Sequence, residues 1–249
     1  MVGSPHLTHP GLRADIERRL RRLVAESIAR TGACRVVEIG AGHGTFTATL
    51  VDAGAHVTVT EASQASAGHL RAEFGGDDRV EVIYDSTGEG ILDREQTWDL
   101  AVMISVIHHI PDYLTFLEKL QEHLAPGGAL FSVQDPLYYP RRTLASHIAS
   151  RGTYFIWRLR YGNYRRGLST RWRRLRGFYD DNNGSDLIEY HVMRQGVDEE
   201  AIRTLLERSF DVEIFSYWST QSLRLHQLLE HTSLRSDFGV EATAHRRDR

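Results

Sequence analysis

The chain predicts an α/β fold, a mostly parallel sheet with helices on both faces, and three observations lead there. Val36-Val37-Glu38-Ile39 reads as a buried strand that closes on the loop Gly40-Ala41-Gly42-His43-Gly44. Further short β-branched runs follow, separated by stretches with helical periodicity, which is the alternation expected of βαβ units. Two of those strands end on a carboxylate, Glu61 and Asp85. The carboxyl ends of the strands are where an open α/β sheet takes its ligand.

In chain order, the first ten residues, with His6 and His9, carry no periodicity and read as a mobile tail or lid edge. Leu12, Ile16, Leu20, Leu23 and Ile28 recur at helical spacing over 12–30, with Arg18, Arg19, Arg21 and Arg22 largely on the other face. After the glycine loop, a helix over about 44–53 would direct free amides and its positive dipole end at an anion. Val57 to Thr60 and Val80 to Tyr84 make strands two and three, and Trp98 to Ile104 makes strand four. Asp112 N-caps a helix over 112–124, which Pro126-Gly127 stops before strand five, Ala129 to Asp135. Residues 136–193 are crowded with Tyr, Trp and Arg and read as an inserted lid of short helices over the mouth of the site. Asp198-Glu199-Glu200 then opens another helix, followed by a strand from Asp211 to Trp218, a loop or helix with Leu223, Leu225, Leu228 and Leu229, and a last strand from Phe238 to His245.

Composition narrows the function classes. At 249 residues, 41% hydrophobic and 25% charged, the chain is one domain with ample core. A net charge of −3 argues against a surface built to coat nucleic acid. A single cysteine, Cys34, excludes an intramolecular disulfide and reads as a core residue. The sequence contains no apolar run long enough to span a bilayer and no secretory h-region, so a cytoplasmic protein without a membrane partner is expected. Lys119 is the only lysine, an arginine bias typical of GC-rich, actinobacterial-type genomes.

The glycine register decides between nucleotide folds. A dehydrogenase loop needs G-x-G-x-x-G/A, and here Thr45 falls in the third slot while Gly44 sits one residue early. Glu38-x-Gly40-x-Gly42-x-Gly44 instead resembles the first motif of the class I S-adenosylmethionine-dependent methyltransferases. With Glu61, Asp85, the Ile104 to Asp112 segment and Leu124-Ala125-Pro126-Gly127-Gly128, the resemblance covers about residues 33–135 and the C-terminus. It implies a Rossmann-like three-layer sandwich with a seven-stranded sheet of order 3-2-1-4-5-7-6, strand seven antiparallel, and a helical insertion after strand five. It also implies an enzyme that uses S-adenosyl-L-methionine.

Cofactor residues follow from this. Glu38, Gly40, Gly42 and Gly44 would hold the methionine portion. Glu61, about 20 residues past the loop at the tip of strand two, can accept both ribose hydroxyls. In the family, the carboxylate at Asp85, with Ser86, reaches the adenine, and Ile104 at the end of strand four borders the same pocket. His108 and His109 lie just past strand four, where a hydroxyl nucleophile would need a base. The family's Leu-His-His-Leu-type pattern makes the second, His109, structural and leaves His108 as the preferred base; two histidines held by backbone hydrogen bonds are the alternative. Asp135 ends strand five, either to contact or deprotonate the acceptor or to form an Asx-Pro turn. His43, Tyr138, Tyr139, Trp218 and Gln221 are candidates for the acceptor pocket, with a solvent-facing loop histidine the other reading of His43. Asp180-Asp181-Asn182-Asn183-Gly184, with Glu189 and His191, forms either a polar turn or a site for a hard cation such as Mg²⁺; no metal ligands are assigned.

The Arg/aromatic insertion points to a small polar or anionic acceptor, since Arg forks grip carboxylate or phosphate while Trp and Tyr stack on rings. The expected reaction is O-methylation of a sugar, glycoside or other natural-product hydroxyl. RNA methylation, N- or carboxyl-methylation and a non-catalytic cofactor-binding partner subunit are the alternatives. So many aromatics in one insertion also make a homodimer an option.

Overall fold

The computed structural model describes residues 9–161 and 195–245, with side chains for all of these but residues 158–161. Helix α1 (Pro10–Thr31) leads into β1 (Arg35–Ile39), α2 (Thr45–Asp52), β2 (His56–Glu61), α3 (Gln64–Phe74) and β3 (Val80–Tyr84). There follow β4 (Trp98–Ile104), α4 (Tyr113–Glu122), β5 (Leu124–Pro136), α5 (Leu144–Tyr161), α6 (Glu199–Leu206), β6 (Phe210–Tyr217), α7 (Leu223–Leu229) and β7 (Asp237–Ala244). The seven strands form one sheet of order 3-2-1-4-5-7-6. Strands β1 to β5 pair in parallel, and β7 runs antiparallel to both β5 and β6. The fold expected from the motifs is the fold observed.

Strand alternation builds the layers. Val36, Leu100, Val102, Phe131 and Val133 face α1, α2 and α3, where they meet Leu20, Leu23, Phe46, Leu50 and Leu70. Val37, Ala101, Met103, Leu130 and Val240 face the other way, against Phe116, Leu117 and Leu120 of α4 and Ile202 and Leu206 of α6. Both faces of β1 and β4 are therefore apolar, as a central parallel strand requires. Cys34 is buried in the first cluster, as its place before β1 indicated.

Several local expectations change. Helix α4 stops at Glu122, and Leu124-Ala125 already belong to β5, because Leu124 pairs with Trp98 before the register against β4 shifts. His9 is buried and stacks on His226 at 3.8 Å, so the chain is already packed one residue before α1. Arg19 and Arg22, on the face of α1 opposite its apolar stripe, reach over to the sheet. Both bind the buried Glu241 of β7, at 3.2 and 2.5 Å, and Arg19 also caps the Phe215 ring at 4.1 Å. Among the described residues no helix is long and apolar enough to cross a membrane.

Candidate active site

The candidate site is built where β1, β2, β4 and β5 end. After Ile39 the chain turns sharply, and Gly40, Gly42 and Gly44 all have positive φ, +70°, +60° and +78°. They differ in what surrounds them. A Cβ at Gly40 would lie 2.7 Å from Val106, and one at Gly44 would lie 2.6 Å from Phe74 and 2.8 Å from Leu70. At Gly42 a Cβ would meet no atom within 4 Å. The outer two glycines are thus demanded by the fold, whereas the middle one borders open space at the sheet edge.

Glu61 ties this loop to β2. Its carboxylate accepts from the Gly42 amide at 2.8 Å and, through the other oxygen, from the Ser63 amide at 2.8 Å. A carboxylate has about four lone-pair positions, so two remain for further donors. Glu38 lies underneath, buried, with Thr47 Oγ1 donating to it at 2.5 Å. Burial pushes the Glu38 carboxyl up to about 7; the Thr47 hydroxyl opposes this and the Glu61 charge adds to it. Thr47 escaped the sequence reading, since nothing local distinguishes it from any helical threonine.

On the other side of the loop, the Val106 contact leads to the turn after β4. Ser105 has φ +62° and Gln134 φ +70°, two non-glycine residues in the left-handed region at the ends of adjacent strands. Such strain persists only where the surroundings impose it, and it clusters at functional sites. At the second of these, β5 bulges against β7, between Val133 and Asp135. The bulge turns Asp135 inward beneath His108. Asp135 Oδ1 accepts from the His108 backbone N–H at 3.1 Å and lies 2.7 Å from His108 Nδ1, and Ser132 Oγ donates to Oδ2 at 3.0 Å. Asp135 is fully buried and grips His108 through that residue's backbone N–H and Nδ1. His109 is exposed, its ring 4.0 Å from that of His108.

Behind the dyad lies a polar network that the sequence did not announce. Gln134 Nε2 donates to Asp237 Oδ1 at 3.2 Å and to Ser219 Oγ at 3.3 Å, and Tyr217 donates to Gln134 Oε1 at 3.2 Å. Ser236 Oγ donates to Asp237 Oδ2 at 2.6 Å. Burial pushes the Asp237 carboxyl up to about 7, opposed by the Ser236 hydroxyl and by the charge of Arg142. The Tyr217 hydroxyl, fully buried beside Asp237 and Asp135, is likewise held well above its ordinary range.

The remaining candidates are scattered. Asp85 is occupied in its own turn, accepting from Thr87 N and Oγ1 and from Gly90 N at 2.6 to 3.0 Å, while Ser86 is exposed. The ring of His43 sits 5.5 Å from the His69 ring of α3. Ile104 is buried at the end of β4. Tyr138 and Tyr139 are half-buried at the foot of α5, with Arg141 and Arg142 over their rings at 4.9 and 5.2 Å. Trp218 is buried, and Gln221 is half-buried beside Thr220. Among the described residues no three His, Cys, Asp or Glu gather to hold a metal ion. The candidate cation ligands from Asp180 to His191 lie outside the described residues.

Comparison with known proteins gives the family. A family model described as a methyltransferase domain matches residues 12–178. The chain belongs to the class I S-adenosylmethionine-dependent methyltransferases. Curated relatives of the methyltransferase include a ubiquinone biosynthesis O-methyltransferase from Chelativorans sp. (strain BNC1), 31% identical over 100 residues, 39% of this chain and 38% of the relative. A demethylmenaquinone methyltransferase from Clavibacter sepedonicus is 26% identical over 110 residues, 44% of each chain. The match thus spans about two fifths of these relatives. The N-methyltransferase NodS from Bradyrhizobium japonicum WM9, solved with S-adenosyl-l-homocysteine, superposes with a TM-score of 0.52 at 16% identity, over 94% of this chain and 87% of that one. An S-adenosylmethionine-dependent methyltransferase from Mesorhizobium loti superposes at 0.54 and 17% identity, over 91% and 96%. At these identities the superpositions show a shared fold.

The two raised carboxyls have a measurable consequence. Glu38 and Asp237 shift from 4.5 and 3.8 to about 7, so the folded methyltransferase holds protons that the unfolded chain releases. That contribution is complete below about pH 4 and is lost as pH rises toward 7, on the order of 3 kcal/mol per group. Glu38→Gln and Asp237→Asn should each flatten the decline in unfolding free energy between roughly pH 5 and pH 7.5, measured by urea denaturation. An unchanged slope in both variants would refute the assignment.

Proposed function

We propose that this methyltransferase transfers a methyl group from S-adenosyl-L-methionine to a hydroxyl oxygen of a small polar acceptor, a sugar, glycoside or other natural product, with His108 as the base. The observation that carries the reading is the 2.7 Å contact between His108 Nδ1 and the buried Asp135. A carboxylate at Nδ1 favours the tautomer protonated there and leaves Nε2 as the basic nitrogen. Asp135 thus acts as a positioning residue, and His109 flanks the base.

The open space at Gly42 and the carboxylate of Glu61 beside it suit the cofactor's methionine and ribose portions. Gly40 and Gly44 shape the turn, Glu38 supports it from below, and Ile104 borders the pocket. Asp85 and Ser86 are the adenine-side candidates; with its oxygens already accepting three hydrogen bonds, Asp85 would act chiefly by shaping that wall. When bound, the cofactor supplies an electrophilic methyl on a sulfonium. The chain's own task is alignment of the acceptor oxygen with that methyl and removal of the hydroxyl proton to His108 Nε2. Tyr138, Tyr139 and Gln221 are the acceptor-side candidates. A relative named as a ubiquinone biosynthesis O-methyltransferase lends the oxygen reading support over the aligned two fifths.

A methyl-release assay with sugars, phenols, amines, carboxylates and total RNA, with and without Mg²⁺, tests the reading. Turnover on hydroxyl compounds is expected. Turnover only on amines or carboxylates, or only on RNA with steep salt dependence, would overturn it. Cofactor binding with no turnover on any acceptor would favour a non-catalytic partner subunit.

A further inference from the structure

Strand β5 carries one residue more than its partner β7, and that residue decides which way Asp135 points. Val133 pairs with Gly239 and Asp135 with Phe238, so Gln134 is the extra one. Successive side chains of a strand alternate between the faces of the sheet, so residues three apart point to opposite sides. Ser132 and Asp135 are three apart, yet Ser132 Oγ donates to Asp135 Oδ2 at 3.0 Å. The extra residue has reversed the alternation. Without it, Asp135 would fall on the face of Phe131 and Val133, which pack towards α1, α2 and α3, and not beneath His108.

This reversal needs a backbone conformation that most L-residues avoid. Gln134 has φ +70°, and Asp135 cannot take the turn in its place, because the following Pro136 biases it to extended backbone. Glycine would adopt that φ freely; glutamine does not. What holds Gln134 there is its side chain, buried and engaged at both polar atoms. Nε2 donates to Asp237 Oδ1 at the start of β7, at 3.2 Å, and to Ser219 Oγ just past β6, at 3.3 Å. Oε1 accepts from the Tyr217 hydroxyl, at the end of β6, at 3.2 Å. These partners are themselves tied together, since Ser236 Oγ accepts from the Ser219 amide at 2.7 Å and lies 2.6 Å from Asp237 Oδ2. On the other side, the Val133 carbonyl accepts from the Ser105 amide at 2.8 Å, which joins the bulge to the turn that leads to His108.

We propose that Gln134 is a positioning residue for the base: its side-chain amide, clamped by Asp237, Ser219 and Tyr217, holds the bulge that places Asp135 against His108 Nδ1. The catalytic part of this role rests on the reading of His108 as the base. The tautomer of the His108 ring, however, is measurable without any acceptor, so the clamp and the base fail separately.

Nitrogen NMR of the histidine side chains in the full chain, with the His108 signals identified by their absence from His108→Gln, reads that tautomer. In the wild type, Nδ1 should carry the proton. Gln134→Ala removes the clamp and leaves an L-residue at positive φ. Its His108 ring should become a mixture of tautomers, and kcat should fall at least about tenfold with KM for the cofactor unchanged. Gln134→Gly also removes the clamp but tolerates that φ, so it should keep tautomer and turnover closer to wild type than Gln134→Ala does. A side chain that merely fills space predicts the reverse order, since glycine leaves the larger hole. Tyr217→Phe deletes one hydroxyl of the clamp and should shift the ring in the same sense as Gln134→Ala; it carries the test if circular dichroism shows Gln134→Ala unfolded. A wild-type ring protonated only at Nε2, an unchanged tautomer in every variant, or Gln134→Gly falling below Gln134→Ala would overturn the proposal. A disturbed tautomer at undiminished turnover would uphold the clamp and remove His108 as the base instead.

Discussion

Gly42→Val is expected to weaken S-adenosylhomocysteine binding by at least about 100-fold, some 2.7 kcal/mol, in isothermal titration calorimetry. What each glycine touches decides the effect. At Gly42 a Cβ meets no protein atom within 4 Å, so a side chain there fills space that the cofactor would use. Its amide is already held by Glu61, which keeps the loop in place. The φ of +60° adds backbone strain for any L-residue, and more for a β-branched one. Gly42→Ala therefore serves as the milder companion: it should remain folded and still lose most of the affinity. Gly44→Ala should behave in the opposite sense. Its Cβ would collide with Phe74 and Leu70, an overpacking that costs about 1–3 kcal/mol of folding stability. Wild-type affinity in Gly42→Val would remove the glycine loop from the cofactor site.

His108→Ala should lower kcat by about 10² to 10⁴-fold, the usual contribution of a positioned general base, with KM for the cofactor unchanged. Asp135→Asn is the sharper test. The buried amide would present an N–H or a carbonyl to His108 Nδ1, and the carbonyl alone preserves the tautomer. A loss in kcat approaching that of His108→Ala, with little loss of folding stability, is expected if Asp135 orients the ring. If His108→Ala turns over acceptor at the wild-type rate near neutral pH, His108 is not the base, and the oxygen reading loses its main support. The pH dependence of kcat in both variants separates a catalytic role from a packing role: loss of a base removes a limb of the profile, whereas a packing defect lowers the whole curve.

Much of the fold could be read from the sequence because the signals were local. Val36 to Ile39, Val57 to Thr60 and Trp98 to Ile104 are short apolar runs, and each became a strand within a residue or two. Gly40, Gly42 and Gly44 announced a turn that needs positive φ, which the backbone bears out. Element ends were less legible. Leu124-Ala125 looked like a helix end because Pro126-Gly127 follows, yet pairing with β4 at Trp98 drew the segment into β5. Likewise Arg19 and Arg22 fall opposite an apolar stripe, and only the position of β7 beside α1 reveals the buried Glu241 that both of them neutralise.

By itself the sequence determined the order of strands and helices, the glycine turn, the acidic tips of β2 and β3 and the histidine pair after β4. Each depends on residues a few positions apart, where periodicity and backbone sterics act directly. Only the tertiary structure decided how those pieces meet. The Gly42 amide is bound by a carboxylate 19 residues away, His108 is gripped by one 27 residues away, and Gln134 reaches Asp237 across 103 residues. Only the packed layers could bury Glu38 and Asp237, holding their carboxyls near pH 7, or turn α5 with its leucine and isoleucine outward. Hydrogen bonding and desolvation act through space, so they become definite only once the sheet order has set which distant residues are neighbours.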